Sequence, residues 1–570
     1  MKRFLTALLF TAALARPALA GDDAVAYRLT PEMGDAGLVS LAVEMRFRGD
    51  EDGSTELRLP SEFAGADGLL AQFSEIAAEG ATLSGDGASR TLSHAPGQAI
   101  VVRYRVRQTH EGELVFGGVN PFGAMVQPAW FTVIGGTIFA EVGGRREEPA
   151  SFAWGPRPAG WTLASDLDHA PAAGQPRRTA DLLDAVLVGG AGLELIERPV
   201  AEGRVRLAFH ADWEFDEDRI ADMLQRIAET SADFWGDDRD EFLVTVTRMQ
   251  APPGQKVHAG LNLGDAFSLW LSPAADEEEL ARLLAHEHQH SWLPNRVGTT
   301  DEGLSDDPVG YWLAEGFTDF YTQRMLLRSG LWTLEDYVAD LNAALLKYAG
   351  SPVREASNEA IRKDFWNDRA MAELPYQRGM LLAAVWDHRL RRATSGVRDL
   401  DDVVLAMRAA FRADLGQADR PAAAERLKRA YAAAGGGSLD ADYAAHVEAG
   451  RAVLLPADLF GACARVETVQ IPAFDRGYAS ARGGVIGGVD PEGKAFAAGL
   501  RDGMRILRRE GGITGDSRVE QVLAVDDGGT ERIIRWRPEG KAAITLQTVV
   551  LAPGMTAEAR AACVRSMAGL

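Results

Sequence analysis

Three of the ten histidines in this 570-residue chain fall within five consecutive residues, His286-Glu287-His288-Gln289-His290. In a helix, positions four apart lie on one face, so His286 and His290 can direct their imidazoles to a common point. Two such nitrogens are half of a tetrahedral zinc site. Glu287 lies beside that face, where a carboxylate can take a proton from a water molecule that the metal activates. The pattern predicts a hydrolytic zinc site; a surface helix with incidental histidines is the alternative.

A catalytic zinc site needs a third protein ligand and an open position. The apolar segment VGYWLAEGFTDFYTQRMLL offers Glu315, following a helix-start signal at Asp306-Asp307-Pro308. An unpaired carboxylate among large apolar residues is costly, so zinc is its expected partner. Asp319, one turn further on, is predicted to accept a hydrogen bond from a ligand histidine and fix its tautomer. The alternative for Glu315 is a partly exposed acid at a helix bend made by Gly316.

The residues around the histidines predict one amphipathic helix from Asp276 to Arg296. Acidic residues suit its first turn, leucines recur at helical spacing, and Pro294 is expected to end it. His288 points to another face of this helix. We expect it to lie on a cleft wall or at the surface rather than to bind the metal.

Three patterns together carry a family resemblance: HEHQHSW-x-x-x-R, W-x-x-E-G-x-T from Trp312 to Thr318, and Tyr376-x-Arg378-Gly379. They resemble the gluzincin metallopeptidases, and in particular the glycyl aminopeptidase-like family. The resemblance implies a thermolysin-like catalytic domain that holds one zinc ion. It also implies that the Tyr376 hydroxyl helps to stabilise the oxyanion during peptide hydrolysis. The alternative for Tyr376 is a buried tyrosine opening a helix after Pro375.

The substrate side of the expected cleft departs from the family pattern. Gly260 falls where the family has a glycine-rich stretch followed by a glutamate that holds the amino terminus of the substrate. Here Asn262 stands near that position, and Asp265 could substitute for the glutamate. Aminopeptidase and endopeptidase specificities therefore both stay open. A third possibility is an exported peptide-binding or scaffold protein with a vestigial zinc site.

The N-terminal segment predicts export. Lys2 and Arg3 precede an apolar run that is too short for a stable membrane anchor, and an A-x-A cleavage site ends at Ala20. We expect cleavage after Ala20 and a periplasmic or secreted protein that has no membrane anchor. A net charge of −22 argues against nucleic acid as a partner. The family resemblance implies a peptide or protein substrate.

The composition changes along the chain predict a multidomain α+β protein. After the signal peptide (1–20), residues 21–199 contain alternating β patterns and are expected to form a β-sandwich. Residues 200–455 are expected to form the metallopeptidase domain, with an α/β upper part and a helical lower lobe. Residues 456–570 contain GGVIGGVDPEGKAFAAGLRDGMRIL, which resembles the core of a PDZ domain.

The C-terminal region adds two open questions. A PDZ-like groove could bind an extended peptide or a chain terminus by strand addition, or the domain could serve packing only. Cys463 and Cys563, the chain's two cysteines, bracket this domain. Export permits a disulfide between them, and neither has the spacing of a zinc ligand.

Overall fold

The computed structural model describes residues 24–108, 110, 112–169, 176–201, 203–211, 213–236, 241–251, 256–294, 296–300, 307–414 and 420–570. The predicted signal peptide lies outside the described residues. The chain divides into two compact units, Met1–Ala221 with Arg239–Asp276 and Asp222–Asp238 with Glu277–Leu570. The predicted multidomain α+β class is confirmed.

The first unit begins with strands whose inward side chains are apolar and whose outward side chains are polar. A five-stranded and a four-stranded sheet, ordered β13-β1-β2-β9-β6 and β12-β3-β8-β7, contribute to one hydrophobic core. A further four-stranded sheet has the order β10-β11-β15-β14. The strands are β1 (Val25–Gly34), β2 (Gly37–Arg48), β3 (Ser54–Arg58), β4 (Glu62–Phe63), β5 (Ala66–Asp67), β6 (Phe73–Glu79), β7 (Thr82–Ser84), β8 (Ser89–Ser93), β9 (Ala99–Val106), β10 (Met125–Gln127), β11 (Trp130–Ile134), β12 (Glu141–Val142), β13 (Ala150–Trp154), β14 (Trp161–Ser165) and β15 (Val186–Ala191).

One stretch of this region differs from its sequence pattern. WFTVIGGTIFAEV reads as a continuous strand, but a short helix, α1 (Gly135–Ile138), separates β11 from β12. A Cβ on Gly135 would lie 1.9 Å from the carbonyl oxygen of Leu182. The chain turns at this glycine because only a residue without a side chain fits so close to that backbone.

A mixed five-stranded sheet follows, in the order β16-β17-β18-β20-β19. β17, β18 and β20 are parallel, and the outer strands β16 and β19 are antiparallel to their neighbours. The sheet begins six residues before the predicted domain boundary at residue 200. Its strands are β16 (Glu194–Val200), β17 (Gly203–Phe209), β18 (Glu241–Arg248), β19 (His258–Leu263) and β20 (Ala266–Leu271).

Helices dominate the chain from residue 277 to residue 450. No described helix is long and apolar enough to cross a membrane. The helices after α1 are α2 (Thr179–Leu183), α3 (Glu217–Trp235), α4 (Glu277–Gln289), α5 (Tyr311–Arg328), α6 (Leu334–Gly350), α7 (Asn358–Asp364), α8 (Arg369–Ala393), α9 (Leu400–Ala413), α10 (Ala423–Ala433), α11 (Asp440–Asp442), α12 (Lys494–Ala497) and α13 (Ala557–Ala568). Short 3₁₀ helices span Leu69–Gln72, Asp166–Asp168 and Pro308–Gly310, and a π-helical turn spans Tyr443–Glu448.

Apolar faces of α5, α6, α8 and α9 form the interior of the helical region. A buried ion-pair network crosses it, in which Asp387 of α8 accepts hydrogen bonds from Arg324 at 2.6 Å and Arg391 at 2.9 Å. Because each charge has an opposite partner, the network is compatible with burial.

The C-terminal region contains a long antiparallel pair, β21 (Ala464–Phe474) with β27 (Glu539–Leu551). Between them lies a five-stranded sheet with its own apolar core, in the order β22-β23-β24-β25-β26. A disulfide joins Cys463 and Cys563 across a sequence separation of 100 residues, which answers one of the questions that the sequence left open. The inner strands are β22 (Tyr478–Arg482), β23 (Val485–Val489), β24 (Arg505–Gly511), β25 (Gln521–Asp527) and β26 (Thr530–Trp536).

Candidate metal centre

The first part of the candidate centre is helix α4. Glu277, Glu278 and Glu279 occupy its first turn, where they interact favourably with the helix dipole. Leu280 and Leu284 are buried, as the leucine spacing predicted. The helix ends at Gln289, so the prediction of one helix up to Pro294 was wrong. Backbone bonds at three-residue spacing, such as His290 N to the Glu287 carbonyl at 3.2 Å, replace the last α-helical turn.

The second part is helix α5, which begins after Pro308–Gly310. The Asp307 side chain accepts a hydrogen bond from Val309 N and caps this start, as the sequence indicated. Nearly all the remaining side chains of α5 are buried, and Glu315 lies among them with its side chain 16% exposed. A carboxylate in these surroundings requires a positively charged partner.

The two helices bring His286, His290 and Glu315 together. The Nε2 atoms of the two histidines are 3.2 Å apart, and each is 3.3 Å from Glu315 Oε2. Three ligands of one tetrahedral zinc ion, each at about 2.0–2.2 Å from the metal, would be about 3.3–3.6 Å from one another. Within the described residues, the buried Glu315 Oε2 accepts no hydrogen bond. The triangle has the size and the donor atoms that zinc requires.

The electrostatics of the triangle favour a cation. Burial raises the pKa of Glu315, but the imidazoles of His290 and His286 outweigh it and hold that pKa well below its usual range. Burial lowers the pKa of His286, but the hydrogen bond to Asp319 and the adjacent carboxylate of Glu315 prevail and raise it to about 10. The pKa of His290 is also raised, since Glu315 outweighs burial. Without a metal the site therefore binds protons, and these protons are released when a metal ion binds.

Each imidazole is oriented through its other ring nitrogen. His286 Nδ1 donates to Asp319 Oδ1 at 3.0 Å, and His290 Nδ1 donates to the carbonyl oxygen of Leu293 at 2.8 Å. These bonds direct both Nε2 atoms towards Glu315. The sequence pointed to Asp319, but it gave no signal for Leu293, because a backbone carbonyl after a helix end has no residue preference.

Glu287 and Tyr376 lie next to this triangle. Burial raises the pKa of Glu287, and the lowering effects of His290 and His286 do not cancel it. The Tyr376 ring stacks on that of His286, with the ring centroids 6.1 Å apart. Burial, together with the charge of Glu315, keeps the pKa of Tyr376 well above its usual range, so its hydroxyl stays a neutral donor.

Tyr376 lies inside helix α8 and does not open it. The helix starts at Arg369, because the Asp368 carboxylate accepts from Ala370 N at 2.8 Å and caps it, and Pro375 is accommodated within the helix. The alternative in which Tyr376 opens a helix after Pro375 therefore does not hold, since α8 begins about two turns earlier.

A close helix crossing sets the position of Tyr376. A Cβ on Gly379 of α8 would lie 1.7 Å from the Trp312 carbonyl oxygen of α5. A Cβ on Gly316 would lie 2.3 Å from the Cα of Gly379. The two glycines therefore let α5 and α8 meet backbone to backbone, one residue from Glu315 and three residues from Tyr376.

His288 does not lie at the surface. It is 2% exposed, and its ring meets that of Trp292 edge to face, with the centroids 5.3 Å apart. Trp292 in turn stacks on Trp235 at 5.7 Å. His288 is therefore part of an aromatic core beneath the helix. Tertiary packing buries the helix face that carries it, which the sequence analysis expected on a cleft wall or at the surface.

The proposed substrate residues belong to the first unit. Gly260 and Asn262 lie on β19, which pairs with β20 at the edge of the described sheet, and Asp265 lies in the turn between the two strands. All of β19 except His258 is half-buried. The sequence did not reveal this strand, because the segment GLNLG has no clear alternation of apolar and polar residues.

Comparison with known proteins agrees with this geometry. A model of the M61 glycyl aminopeptidase family matches residues 279–373, which include the three clustered side chains, Glu287 and Asp319. The predicted family resemblance is confirmed. The match ends three residues before Tyr376. No curated protein sequence matches the chain significantly.

A solved structure shares the fold. An aminopeptidase N family protein from Idiomarina loihiensis has a TM-score of 0.66 at 17% identity, covering 92% of this chain and 98% of its own. An M1 zinc metallopeptidase from Deinococcus radiodurans has a TM-score of 0.45 at 16% identity, covering 76% of this chain and 94% of its own. The family match and the His-His-Glu triangle support an enzyme of the zinc aminopeptidase type.

Proposed function

We propose that this chain is an exported zinc-dependent aminopeptidase that hydrolyses peptide bonds. The observation that carries the proposal is the triangle of His286 Nε2, His290 Nε2 and Glu315 Oε2, with sides of 3.2–3.3 Å and a buried carboxylate oxygen that accepts no hydrogen bond within the described residues. The M61 family match over the same residues supports it.

Zinc bound there would supply Lewis acidity, which polarises a peptide carbonyl and makes water a better nucleophile at neutral pH. Glu287 then acts as general base: its carboxylate accepts the proton of the attacking water and passes it to the leaving amine. Its raised pKa brings it closer to the operating range of such a base. The neutral Tyr376 hydroxyl donates a hydrogen bond to the oxyanion that develops on the carbonyl.

The substrate would extend along a sheet edge. β19 is the outer strand of its sheet among the described strands, and its half-buried residues suit pairing with an extended peptide backbone. In this proposal Asp265 or Asn262 receives the free amino terminus of the substrate. The amide of Asn262 is a weaker partner for an ammonium group than a carboxylate, which makes endopeptidase cleavage the second candidate.

Export to the periplasm or the medium is supported by two features. The first is the sequence of residues 1–20, and the second is the Cys463–Cys563 disulfide, which persists in oxidising compartments. The PDZ-like region extends the proposal, since β22 is an edge strand of its sheet and could add a peptide strand. The one helix inside this sheet region, α12, has four residues, so any such groove would depend on the strand edge.

Digestion of a mixed peptide library tests the proposed function. We expect cleavage by the purified protein, its loss with a chelator and its return with added Zn²⁺, with products shortened one residue at a time from the amino terminus. Internal cleavage would favour the endopeptidase. Peptide binding without cleavage, in the presence of bound zinc, would contradict hydrolysis and favour a scaffold.

A further inference from the structure

Two rows of side chains meet between α4 and α5. Arg282 and His286 of α4 and His290, the first residue after it, repeat at four-residue spacing, and Asp319 and Gln323 continue the row that Glu315 begins on α5. Positions four apart lie on one helix face, so the two rows oppose each other along about two helical turns. One end of this double row holds the metal triangle, and the other end holds Arg282.

Arg282 contacts the same oxygen as the metal-ligand histidine. Its Nη2 donates to Asp319 Oδ1 at 2.9 Å, and that oxygen also accepts from His286 Nδ1 at 3.0 Å. The Asp319 side chain is 9% exposed, so water competes little for this carboxylate. Arg282 thereby fixes the rotation of the group that orients His286.

A third helix holds Arg282 from the other side. Arg282 Nε donates to Asp340 Oδ1 of α6 at 3.0 Å, and the second oxygen of Asp340 accepts from Gln323 Nε2 at 2.7 Å. A guanidinium that binds two carboxylates through different nitrogens has little freedom to turn. The result is a continuous series of hydrogen bonds from Asp340 through Arg282 and Asp319 to His286.

Helix α6 is itself anchored to the C-terminal region. Two residues after Asp340, the Asn342 side chain donates to the Val549 carbonyl at 2.9 Å and accepts from Val549 N at 2.7 Å. Residues two apart in a helix point to nearly opposite sides. Asp340 therefore faces the catalytic helices, and Asn342 faces strand β27.

We propose that Arg282 and Asp340 are positioning residues of the metal centre, which hold Asp319 so that His286 presents Nε2 to the ion. The inference rests on the proposed zinc site and extends it to residues that touch neither metal nor substrate. Loss of either residue would let the Asp319 carboxylate rotate and the His286 ring with it. A purely structural ion pair would change stability without changing the metal site.

Zinc affinity and a cobalt spectrum separate these two roles. The variants are R282Q, R282K, D340N and the double variant R282Q/D340N. The control is R429Q, which breaks the exposed Arg429–Glu425 pair of α10, an ion pair of 2.9 Å outside the metal centre. Zinc dissociation constants come from competition with a chelator, the visible spectrum from the Co²⁺-loaded protein, and stability from thermal unfolding of the metal-free protein.

We expect R282Q to weaken zinc binding about 10-fold and to shift the cobalt bands, with D340N changing both in the same direction and R282K less than R282Q. The double variant should lose little more than R282Q, since the two residues act in one series. R429Q should change neither readout.

Unchanged zinc affinity and cobalt bands in R282Q and D340N, even with lowered melting temperatures, would overturn the inference. If R282Q does not fold, D340N alone decides by the same two readouts. An unaltered protein that binds no zinc would instead overturn the proposed function, and the inference with it.

Discussion

At the scale of single residues, the site places two carboxylates in opposite electrostatic environments: the charged form is favoured at Glu315 and disfavoured at Glu287. The triangle of two imidazoles and one carboxylate attracts a cation, while Glu287 beside it has a raised pKa. In the proposed mechanism the histidines supply nitrogen ligands, and Glu287, outside the triangle, transfers protons. Substitutions at these positions should therefore separate metal binding from proton transfer.

E287Q should retain zinc and lose hydrolysis. Glutamine keeps the size of the side chain but cannot accept a proton, so we expect kcat to fall at least about 100-fold with zinc content unchanged. The matched control is E278Q, an exposed glutamate in the first turn of the same helix. Peptide hydrolysis at wild-type rates in E287Q would rule out Glu287 as the general base.

Zinc binding should release protons. His286 has a raised pKa of about 10 in the metal-free site, so at pH 7 its imidazole is protonated and must lose that proton to bind zinc. Affinity should rise as pH rises towards 10, by about tenfold per pH unit for each proton released. Calorimetry at pH 7 in buffers of different ionisation enthalpy measures the number of protons released per zinc ion bound, which we expect to be at least one. A complete absence of proton release would contradict the assigned coupling of His286 to Asp319 and Glu315. The variant D319N should release fewer protons than the unaltered protein.

At the scale of elements, three helices create the site. α4 supplies the histidines, α5 supplies Glu315 and Asp319, and α8 supplies Tyr376 through its contact with α5 at the two glycines. The spacing of the ligands is a property of each helix alone, but the approach of α8 depends on the absence of two side chains.

G379A should force α8 away from α5. An added methyl group would lie 1.7 Å from the Trp312 carbonyl oxygen, so the helices must separate. We expect a loss of about 1–3 kcal/mol in the free energy of unfolding, and a lower kcat because Tyr376 moves away from His286. The control is G350A at the end of α6, where nothing lies within 4 Å of the added Cβ. Chemical denaturation compares the two, and equal stabilities would contradict the crossing.

The sequence predicted these elements unevenly. The 3₁₀ turn that leads into α5 begins at Asp307, whose side chain accepts a backbone hydrogen bond as the helix-start signal Asp306-Asp307-Pro308 predicted. The start of α8 did not follow, because Pro375 usually marks a boundary and tertiary packing overrides that preference here. The contact between Gly316 and Gly379 could not be predicted either, since nothing in a single sequence shows that two distant glycines meet.

The ligand set was more predictable than its support. Helical spacing alone relates His286 to His290, and the unusual carboxylate in an apolar helix indicates Glu315. The groups that orient them are less visible, because Leu293 acts through its backbone and Arg282 resembles any charged residue on a helix surface. Predictions from residue type succeed where the chemistry needs a particular side chain, and fail where it needs a particular position.

At the scale of the whole molecule, hydrogen bonds join the C-terminal region to the helical region, and a disulfide links two elements within the C-terminal region itself. The disulfide connects the start of β21 to α13, and Arg328 of α5 donates to the Ala568 carbonyl at 2.6 Å. Asn342 adds the link from α6 to β27. The C-terminal region is therefore part of the support of the catalytic helices, whatever it binds.

Removing the disulfide should destabilise the protein. For C463S/C563S we expect a loss of about 2–4 kcal/mol, because the bond closes a long loop in the unfolded chain. Denaturation midpoints of the oxidised protein, the reduced protein and the variant provide the measurement. The reduced protein should match the variant, and equal stability of all three would contradict a stabilising role.

The central claim is that His286, His290 and Glu315 hold one catalytic zinc ion. A crystal structure of the zinc-loaded protein, with anomalous data collected at the zinc edge, tests it most directly. We predict a single strong peak at about 2.0–2.2 Å from the two Nε2 atoms and from Glu315 Oε2. A peptidase-active protein whose anomalous peak lies elsewhere, or which shows none, would contradict the account.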